Sequence, residues 1–428
     1  MSPIFASLEP ARLLAPPPLA TGSGGSLEII VGLFVLILGA KLGEEVFRRL
    51  GQPGVIGELA GGFIVGPYAL GLVVPGETAT TLAEVGVVIL MFAVGIEIKT
   101  DQLLQVGRPA LITAVLGVVF PLAAGAAYAL VTGEAPGPAA FVGLVLAATS
   151  IGITSRVLAG MGVLHRTFSR IIVGAAVIDD VLALVLITIL TGATEGDLSI
   201  ATLGLVVAAV GFVVLGFAIA RRARGVRSEV FTWPLFADTP LVPAFLLMLA
   251  LAILAGFIGL AAIIGAFVAG LIIAETEAQD EIEHEIKPLA SIFTPIFFAV
   301  TGAQVDLGAL LDPQLAIAAV VLAVIGIVTK VVAGVIATWP SGRWSSLTVG
   351  VGMVPRGEVG IVVAGLGLST GLLAPALFSV CLVAVVITMI VAPFMLNVTI
   401  PRAVAEERAA AEKRAVAAEK AAAEAEGA

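Results

Sequence analysis

The sequence predicts an all-α polytopic membrane protein with about thirteen transmembrane helices. Of its 428 residues, 59% are hydrophobic and 12% are charged, and the mean hydropathy is +1.14. Soluble domains carry about 25% charged residues, so this composition indicates a chain that lies in the lipid bilayer. The 49 glycines suit close packing between membrane helices, which associate without a hydrophobic driving force.

Several classes of protein are excluded by what the sequence lacks. The single cysteine, Cys381, allows neither a disulfide framework nor a cysteine-based metal site. The chain has no basic stripe for nucleic acid and no P-loop for a nucleotide. We therefore expect a carrier driven by ion gradients that is not an enzyme and needs no cofactor.

The chain divides into a tail, two repeats and a linker. Residues 1–26 are rich in Pro, Ser and Gly and predict a disordered or loosely ordered tail. Apolar segments 1–6 and 8–13 are offset by seven spans, which reverses their orientation and predicts the inverted repeat of a transporter. The predicted repeats are 27–190 and 241–398, separated by a linker helix and cytoplasmic loop at 191–240 and followed by a cytoplasmic Ala/Glu/Lys-rich tail at 399–428. The predicted spans are 28–47, 54–73, 80–98, 108–131, 138–159, 169–190, 198–219, 241–256, 258–274, 286–304, 313–338, 345–369 and 372–398.

The loops on one side of this bundle hold nearly all of the loop Lys and Arg residues. They follow the odd-numbered segments, and the acidic stretch 275–287, interpreted as a loop, lies on the same side. The alternate loops carry neither Lys nor Arg. By the positive-inside rule, the N-terminus lies outside the cell and the C-terminus in the cytoplasm.

Two adjacent carboxylates, Asp179 and Asp180, stand near the middle of the apolar stretch 171–190. One charged side chain at the centre of a membrane helix costs about 2.5–3.5 kcal/mol on insertion scales, so a pair indicates a functional site. Neighbours on a helix point about 100° apart. One carboxylate can therefore face a fixed partner while the other faces a water-filled cavity.

A basic residue, Lys330, lies deep inside the eleventh segment. About eight apolar residues separate it from Trp339, which is too far for its side chain to reach the interface. Lys330 therefore needs an acidic partner inside the bundle. Asp179 or Asp180 is the first expectation, and Glu358 is the competitor.

Two predicted helices contain polar interruptions at equivalent positions of the two repeats. The fifth segment contains Thr149 and Ser150 within ATSIGITSR, and the twelfth contains Pro355, Arg356 and Glu358 within GMVPRGEVG. Pro removes a backbone donor and Gly weakens a helix, so both stretches should unwind where they line a buried cavity. Carboxylates, hydroxyls and backbone carbonyls there are hard oxygen ligands for a small cation such as Na⁺.

Four motifs resemble those of the bacterial cation:proton antiporter family 2, in particular its Nap-type sodium/proton antiporters. They are VIDDVLALVL, ATSIGITSRVL, PIFFAVTGAQVDL and GMVPRGEVGIVVAG, and the resemblance covers residues 28–398. It implies the Nap/Nha-type antiporter fold, in which two crossed discontinuous helices lie in a core domain beside a dimerisation domain. It also implies a homodimer in a prokaryotic inner (plasma) membrane.

The resemblance also assigns roles to individual residues. Asp180 becomes the carboxylate that binds Na⁺ and the proton, and Asp179 becomes the partner of Lys330. Thr149 and Ser150 lie at the crossing, and Arg356 and Glu358 match the family's charged pair on the second crossed helix. An Asp-Asp pair with Lys implies electrogenic exchange.

Other functions remain open at the level of the residues. A channel would not need a titrating Asp–Lys pair, and a sodium-coupled solute symporter would need an organic-solute pocket. A K⁺/H⁺ antiporter would use the same kind of site. The sequence therefore favours sodium/proton exchange by alternating access, with K⁺/H⁺ exchange and sodium-coupled symport as alternatives.

Overall fold

The computed structural model describes residues 25–195, 200–224, 239–305 and 312–426. Over these ranges the chain is nearly all α-helical and forms no β-strand. Most of the predicted N-terminal tail and much of the predicted linker loop lie outside the described residues. The helices of the described part are α1 (Ser26–Arg49), α2 (Gly54–Val65), α3 (Glu77–Ile96), α4 (Thr100–Gln105), α5 (Gly107–Val131), α6 (Pro136–Ala147), α7 (Ile151–Gly160), α8 (Thr167–Glu195), α9 (Ile200–Arg222), α10 (Leu241–Phe257), α11 (Ala262–Ala274), α12 (Gln279–Ala303), α13 (Pro313–Thr338), α14 (Arg343–Gly352), α15 (Glu358–Ser369) and α16 (Pro375–Glu426).

The helices confirm an all-α membrane protein. Among the described residues, seven spans are long and apolar enough to cross a bilayer, and further apolar helices are shorter. The expected number of about thirteen spans stays a prediction. In the span at Pro136–Gly160, 94% of the apolar stretch is buried inside the protein, whereas the share for α1 is 22%. The span that contains the first predicted interruption therefore runs through the protein interior.

The structure differs from the predicted spans at several helix ends. The second span is shorter than expected, because α2 ends before Gly66 and Pro67 forces the residue before it into an extended conformation. The acidic stretch 275–287 is mostly helical, because α12 begins at Gln279. Asp280 and Glu281 lie in its first turn, where the helix dipole favours acidic side chains.

The C-terminal tail continues a membrane helix. α16 runs without a break through Pro393 and Pro401 into the Ala/Glu/Lys-rich region. The sequence predicts a cytoplasmic tail from residue 399, and Ile400 and Ala403 at its start are buried. The first turns after Pro401 therefore pack against protein, because they carry side chains that contact α14 and the start of α8.

The described chain forms two compact units, and both halves of the sequence contribute to each. The first unit is drawn from Met1–Thr100 and Gly211–Pro313. Its helices α1, α2, α3, α10, α11 and α12 pack on one another. The backbones of α1 and α2 approach so closely that a Cβ on Gly57 would lie 2.1 Å from the carbonyl oxygen of Gly43. Glycine is therefore required at this contact.

The second unit is drawn from Asp101–Val210 and Gln314–Ala428. Helix α6 packs against α5, α8 and α15, and α14 packs against α8 and α16. A Cβ on Gly143 of α6 would lie 2.3 Å from the carbonyl oxygen of Leu122 in α5. This unit contains both predicted interruptions and the predicted charged residues Asp179, Asp180 and Lys330.

Candidate functional site

Two helices of the second unit are broken, and the breaks meet. Residues 148–150 separate α6 from α7, and residues 353–357 separate α14 from α15. The backbone N–H of Ser150 donates a 2.8 Å hydrogen bond to the carbonyl of Pro355. A Cβ on Gly357 would lie 2.6 Å from the Ser150 hydroxyl oxygen, so glycine is needed for this close approach. The predicted crossing of two unwound helices is therefore present.

Lys330 joins this crossing to a third and a fourth helix. It lies on α13 and is fully buried. Its ammonium donates a 2.7 Å hydrogen bond to the Thr149 hydroxyl and lies 3.2 Å from the Asp179 carboxylate oxygen Oδ1 on α8. Gly117 of α5 covers the ammonium, because a Cβ there would lie 3.5 Å from the nitrogen. Lys330 thus contacts an acidic partner and a hydroxyl from the first break.

The two neighbouring aspartates have different surroundings. Asp179 is completely buried, whereas 8% of the Asp180 surface is exposed. The difference follows from the rotation of about 100° between neighbours on a helix. Asp179 is therefore sealed against Lys330, while Asp180 keeps limited access to solvent. Thr149 and Ser150 are also buried, and Thr149 contacts the same lysine as Asp179.

Arg356 caps the broken end of α6. Its buried guanidinium donates 2.9 Å and 2.6 Å hydrogen bonds to the carbonyl of Leu146, and a 3.0 Å bond to the carbonyl of Gly326. It also donates to the carbonyl of Val354. The last carbonyls of a helix lack intrahelical partners and carry partial negative charge. Arg356 therefore stabilises a helix end that the break leaves inside the protein.

The break in the other helix receives a neutral cap. The hydroxyl of Thr154 on α7 donates a 2.7 Å hydrogen bond to the carbonyl of Gly352, the last residue of α14. Each broken helix is thus capped by a side chain from the other. Sequence reasoning missed both contacts, although the orphan carbonyls that a helix break must leave are a signal that donors are needed.

The structure brings together most, but not all, of the residues predicted for the site. Thr149, Asp179 and Lys330 are in direct contact, and Ser150 joins the breaks through its backbone. The described hydrogen bonds of the Arg356 side chain are made to carbonyls. Glu358 begins α15, but its side chain lies outside the described part of the structure. The predicted charged pair of Arg356 and Glu358 therefore stays a prediction.

The described side chains near the crossing offer oxygen ligands. Among the described residues, no group of three or more His, Cys, Asp or Glu side chains could hold a metal ion. The available ligands are carboxylate and hydroxyl oxygens, which suit hard cations. The partly exposed carboxylate of Asp180, beside the buried pair of Lys330 and Asp179, can bind either a cation or a proton.

Comparison with known proteins gives the same fold and family. The family model described as "Sodium/hydrogen exchanger, transmembrane" matches residues 32–400. The solved structure of the sodium proton antiporter MjNhaP1 from Methanocaldococcus jannaschii is similar in fold, with a TM-score of 0.63. It is 15% identical, and the match covers 87% of this chain and 96% of that one.

Curated relatives are similar along nearly their whole length. The high-affinity Na⁺/H⁺ antiporter NhaS3 of Synechocystis is 35% identical, over 89% of this chain and 91% of the relative. The Na⁺/H⁺-K⁺ antiporter GerN of Bacillus cereus is 33% identical, over 87% and 96%. The Na⁺/H⁺ antiporter of Enterococcus hirae is 30% identical, over 87% and 98%. Together with the match of the family model, these similarities show that the chain is a multi-pass membrane protein that belongs to the sodium/hydrogen exchanger family.

Proposed function

We propose that this protein exchanges Na⁺ for H⁺ by alternating access, and that the two ions compete for Asp180. The observation that carries the proposal is the fully buried pair of Lys330 and Asp179 next to the more accessible Asp180. The names of the relatives NhaS3 and GerN support sodium as the transported cation. In this proposal Na⁺ binds the Asp180 carboxylate together with hydroxyl oxygens from Thr149 and Ser150.

The buried pair provides a way to link cation binding to proton release. Two unit charges about 7 Å apart interact by roughly 2–3 kcal/mol at an effective dielectric of about 20. Na⁺ bound at Asp180 therefore repels the Lys330 ammonium. This repulsion destabilises the protonated lysine and weakens its contact with Asp179. Release of protons from both Lys330 and Asp180 would exceed the single charge of the sodium ion. Exchange in this proposal is electrogenic.

Thr149 has to change partners during the cycle. In this structure its hydroxyl oxygen accepts a hydrogen bond from the Lys330 ammonium. An oxygen that accepts this bond is a poorer ligand for a second cation at the same place. Sodium binding therefore requires Lys330 to loosen its contact with Thr149 as well as with Asp179.

The proposal also includes the setting of the transporter. In this proposal the protein lies in the inner (plasma) membrane of a prokaryote. Its N-terminus is outside and its C-terminus is in the cytoplasm, an orientation that the distribution of Lys and Arg predicts. It forms a homodimer in which the first unit provides the dimerisation surface and the second unit carries the ion site. The predicted repeats at 27–190 and 241–398 supply the symmetry for alternating access.

Potassium is the second candidate cation. The name of GerN, a Na⁺/H⁺-K⁺ antiporter, supports K⁺ as an additional substrate for this chain. Both ions are hard cations that carboxylate and hydroxyl oxygens can bind. The size of the site, and not the chemistry of its ligands, would therefore distinguish Na⁺ from K⁺.

Purified protein in proteoliposomes tests the proposal. A pH gradient is imposed, and an internal pH dye reports its collapse when Na⁺ or K⁺ is added without any organic solute. We expect Na⁺ to collapse the gradient, and we expect the rate to change when an ionophore sets the membrane potential. An absolute requirement for an organic solute would overturn antiport. A rate independent of membrane potential would overturn electrogenic exchange.

A further inference from the structure

The short helix α14 is capped by a carboxylate from the part of α16 beyond Pro401. One carboxylate oxygen of Glu406 accepts hydrogen bonds from the backbone N–H groups of Trp344 and Ser345, each 2.9 Å long. These residues lie in the first turn of α14, whose N–H groups have no partners within the helix. A carboxylate at this position satisfies them and interacts favourably with the helix dipole.

The part of α16 beyond Pro401 is held in place by further contacts in the second unit. The guanidinium of Arg402 lies 4.5 Å from the centre of the Trp344 ring, and Glu407 lies 3.5 Å from Arg166 before α8. Glu406 and Glu407 line a cavity of about 800 Å³ together with Ser345. The cap is therefore part of a polar region at one end of α14.

The other end of α14 lies at the crossing. The helix has ten residues, so its two ends are about 15 Å apart. Its last carbonyl, at Gly352, accepts the hydrogen bond from Thr154. Three residues later, Pro355 accepts the backbone hydrogen bond from Ser150, next to Thr149. A shift of α14 along its axis would therefore move the second break relative to the first.

Helix α14 is also pressed against the helix that carries Lys330. A Cβ on Gly334 of α13 would lie 2.3 Å from the Cα of Gly350 in α14. Gly334 is one helical turn after Lys330, so the two backbones touch beside the ion pair. With so little space between them, α14 cannot move without moving either the break or α13.

We propose that Glu406 is a positioning residue for ion exchange: its carboxylate fixes the start of α14 and thereby holds the second helix break and Lys330 in register with the ion site. The inference rests on the proposed Na⁺/H⁺ exchange. Loss of the cap lets the first turn of α14 fray and loosens the crossing at its other end. Sodium then binds a less preorganised set of oxygens, so its apparent affinity falls.

The test compares Glu406→Ala, Glu406→Gln and a matched control, Glu412→Gln. Glu412 lies on the same helix and is exposed, so its substitution removes the same charge without removing a cap. We expect Glu406→Ala to raise the apparent KM for Na⁺ by about three- to tenfold, the factor that corresponds to a lost helix cap. The maximal rate per folded transporter should stay within about twofold. Glu406→Gln should give a smaller rise, because its amide oxygen still accepts hydrogen bonds.

The outcomes separate positioning from stability and from the function itself. A structural role alone would lower the melting temperature and the yield but leave the KM of the folded protein unchanged, and that result would overturn the proposal. An equal rise in KM for Glu412→Gln would also overturn it. If Glu406→Ala does not fold, the KM of Glu406→Gln decides. The wild-type rate is read first in the same vesicles: its absence would overturn the proposed exchange, whereas a normal rate with unchanged variants overturns only the role of Glu406.

Discussion

Two ion pairs in this protein have similar geometry in different surroundings. In the second unit, Lys330 and Asp179 are 3.2 Å apart and both are completely buried. In the first unit, Arg224 and Glu275 are 3.1 Å apart; the Glu275 side chain is 5% exposed, but the Arg224 side chain is 51% exposed. Burial of both charges carries a desolvation penalty that is smaller when one partner stays in contact with solvent. Similar distances therefore correspond to different energies.

The carboxylates of Glu275 and Asp179 also differ in how fully their oxygens are hydrogen-bonded. Glu275 also accepts a 2.8 Å hydrogen bond from the backbone N–H of Thr100, so it joins the end of α11 to the start of α4. The second oxygen of Asp179, Oδ2, has no hydrogen-bond partner among the described residues. A buried carboxylate that is incompletely satisfied is costly and marks a functional site more often than a structural one. The comparison predicts that removal of a charge at Asp180 or at the buried pair impairs transport, while removal of Glu275 in the first unit affects stability.

The largest effect is expected for Asp180→Asn in the second unit. The amide cannot take up a proton or a cation in place of a carboxylate, so Na⁺/H⁺ exchange in proteoliposomes should fall to background. The variant should still fold and form the same oligomer as the wild type, because Asp179 stays in place as the salt-bridge partner of Lys330. Exchange at the wild-type rate would contradict its role.

The next effect is expected for Lys330→Gln, which leaves Asp179 buried without its cation. Removal of one partner of a buried pair costs about 3–5 kcal/mol, so the melting temperature should fall. If Lys330 carries a proton, surviving exchange becomes electroneutral or vanishes.

The control for Lys330→Gln is the double variant Asp179→Asn with Lys330→Gln, which removes both charges and should recover much of the lost stability. Robust Na⁺-driven current in the Lys330→Gln protein would rule out the carrier role. Lysine would then be purely structural, with both aspartates as proton carriers.

A smaller effect is expected for Glu275→Ala in the first unit. It leaves the backbone N–H of Thr100 without its acceptor, which costs about 1–3 kcal/mol of stability. Transport per folded molecule should stay close to that of the wild type, since this pair is not part of the proposed site. Loss of exchange in well-folded protein would remove the distinction between the two pairs.

The smallest effect is expected for Glu97→Gln, at the end of α3. Although this side chain remains in contact with solvent, surrounding protein raises the pKa of Glu97 above its ordinary value of 4.5, and the nearby carboxylate of Glu283 raises it further. The folded state therefore disfavours the ionised form, and stability is lost as pH rises through the folded-state pKa.

The variant should accordingly melt at a slightly higher temperature than the wild type near neutral pH. The gain should vanish at a pH of about 3, where the carboxyl is protonated in both the folded and unfolded states. Thermal melts of the two proteins at both pH values check this. A gain of equal size at the lower pH would show that the charge of Glu97 is not its cause.

Local sequence was enough to predict the class of the protein, the residues of the candidate site and the places where helices break. The mean hydropathy of a segment depends only on its own consecutive residues, so the apolar spans could be recognised without knowledge of tertiary contacts. The same holds for the paired carboxylates Asp179 and Asp180, because a charge in an apolar run is visible locally. Pro355 and Gly357 disfavour a helix wherever the chain goes, which made the second break predictable.

Which of these residues meet depends on the tertiary fold. Lys330 contacts Asp179 across 151 residues of chain, and neither Asp180 nor Glu358 could be excluded as its partner from local pattern. The carbonyl contacts of Arg356 and the cap that Glu406 gives α14 were not predicted. Each depends on where a helix end lies relative to a side chain from a distant segment. Helix ends and their orphan groups are set by packing, and a sequence reports that packing only weakly.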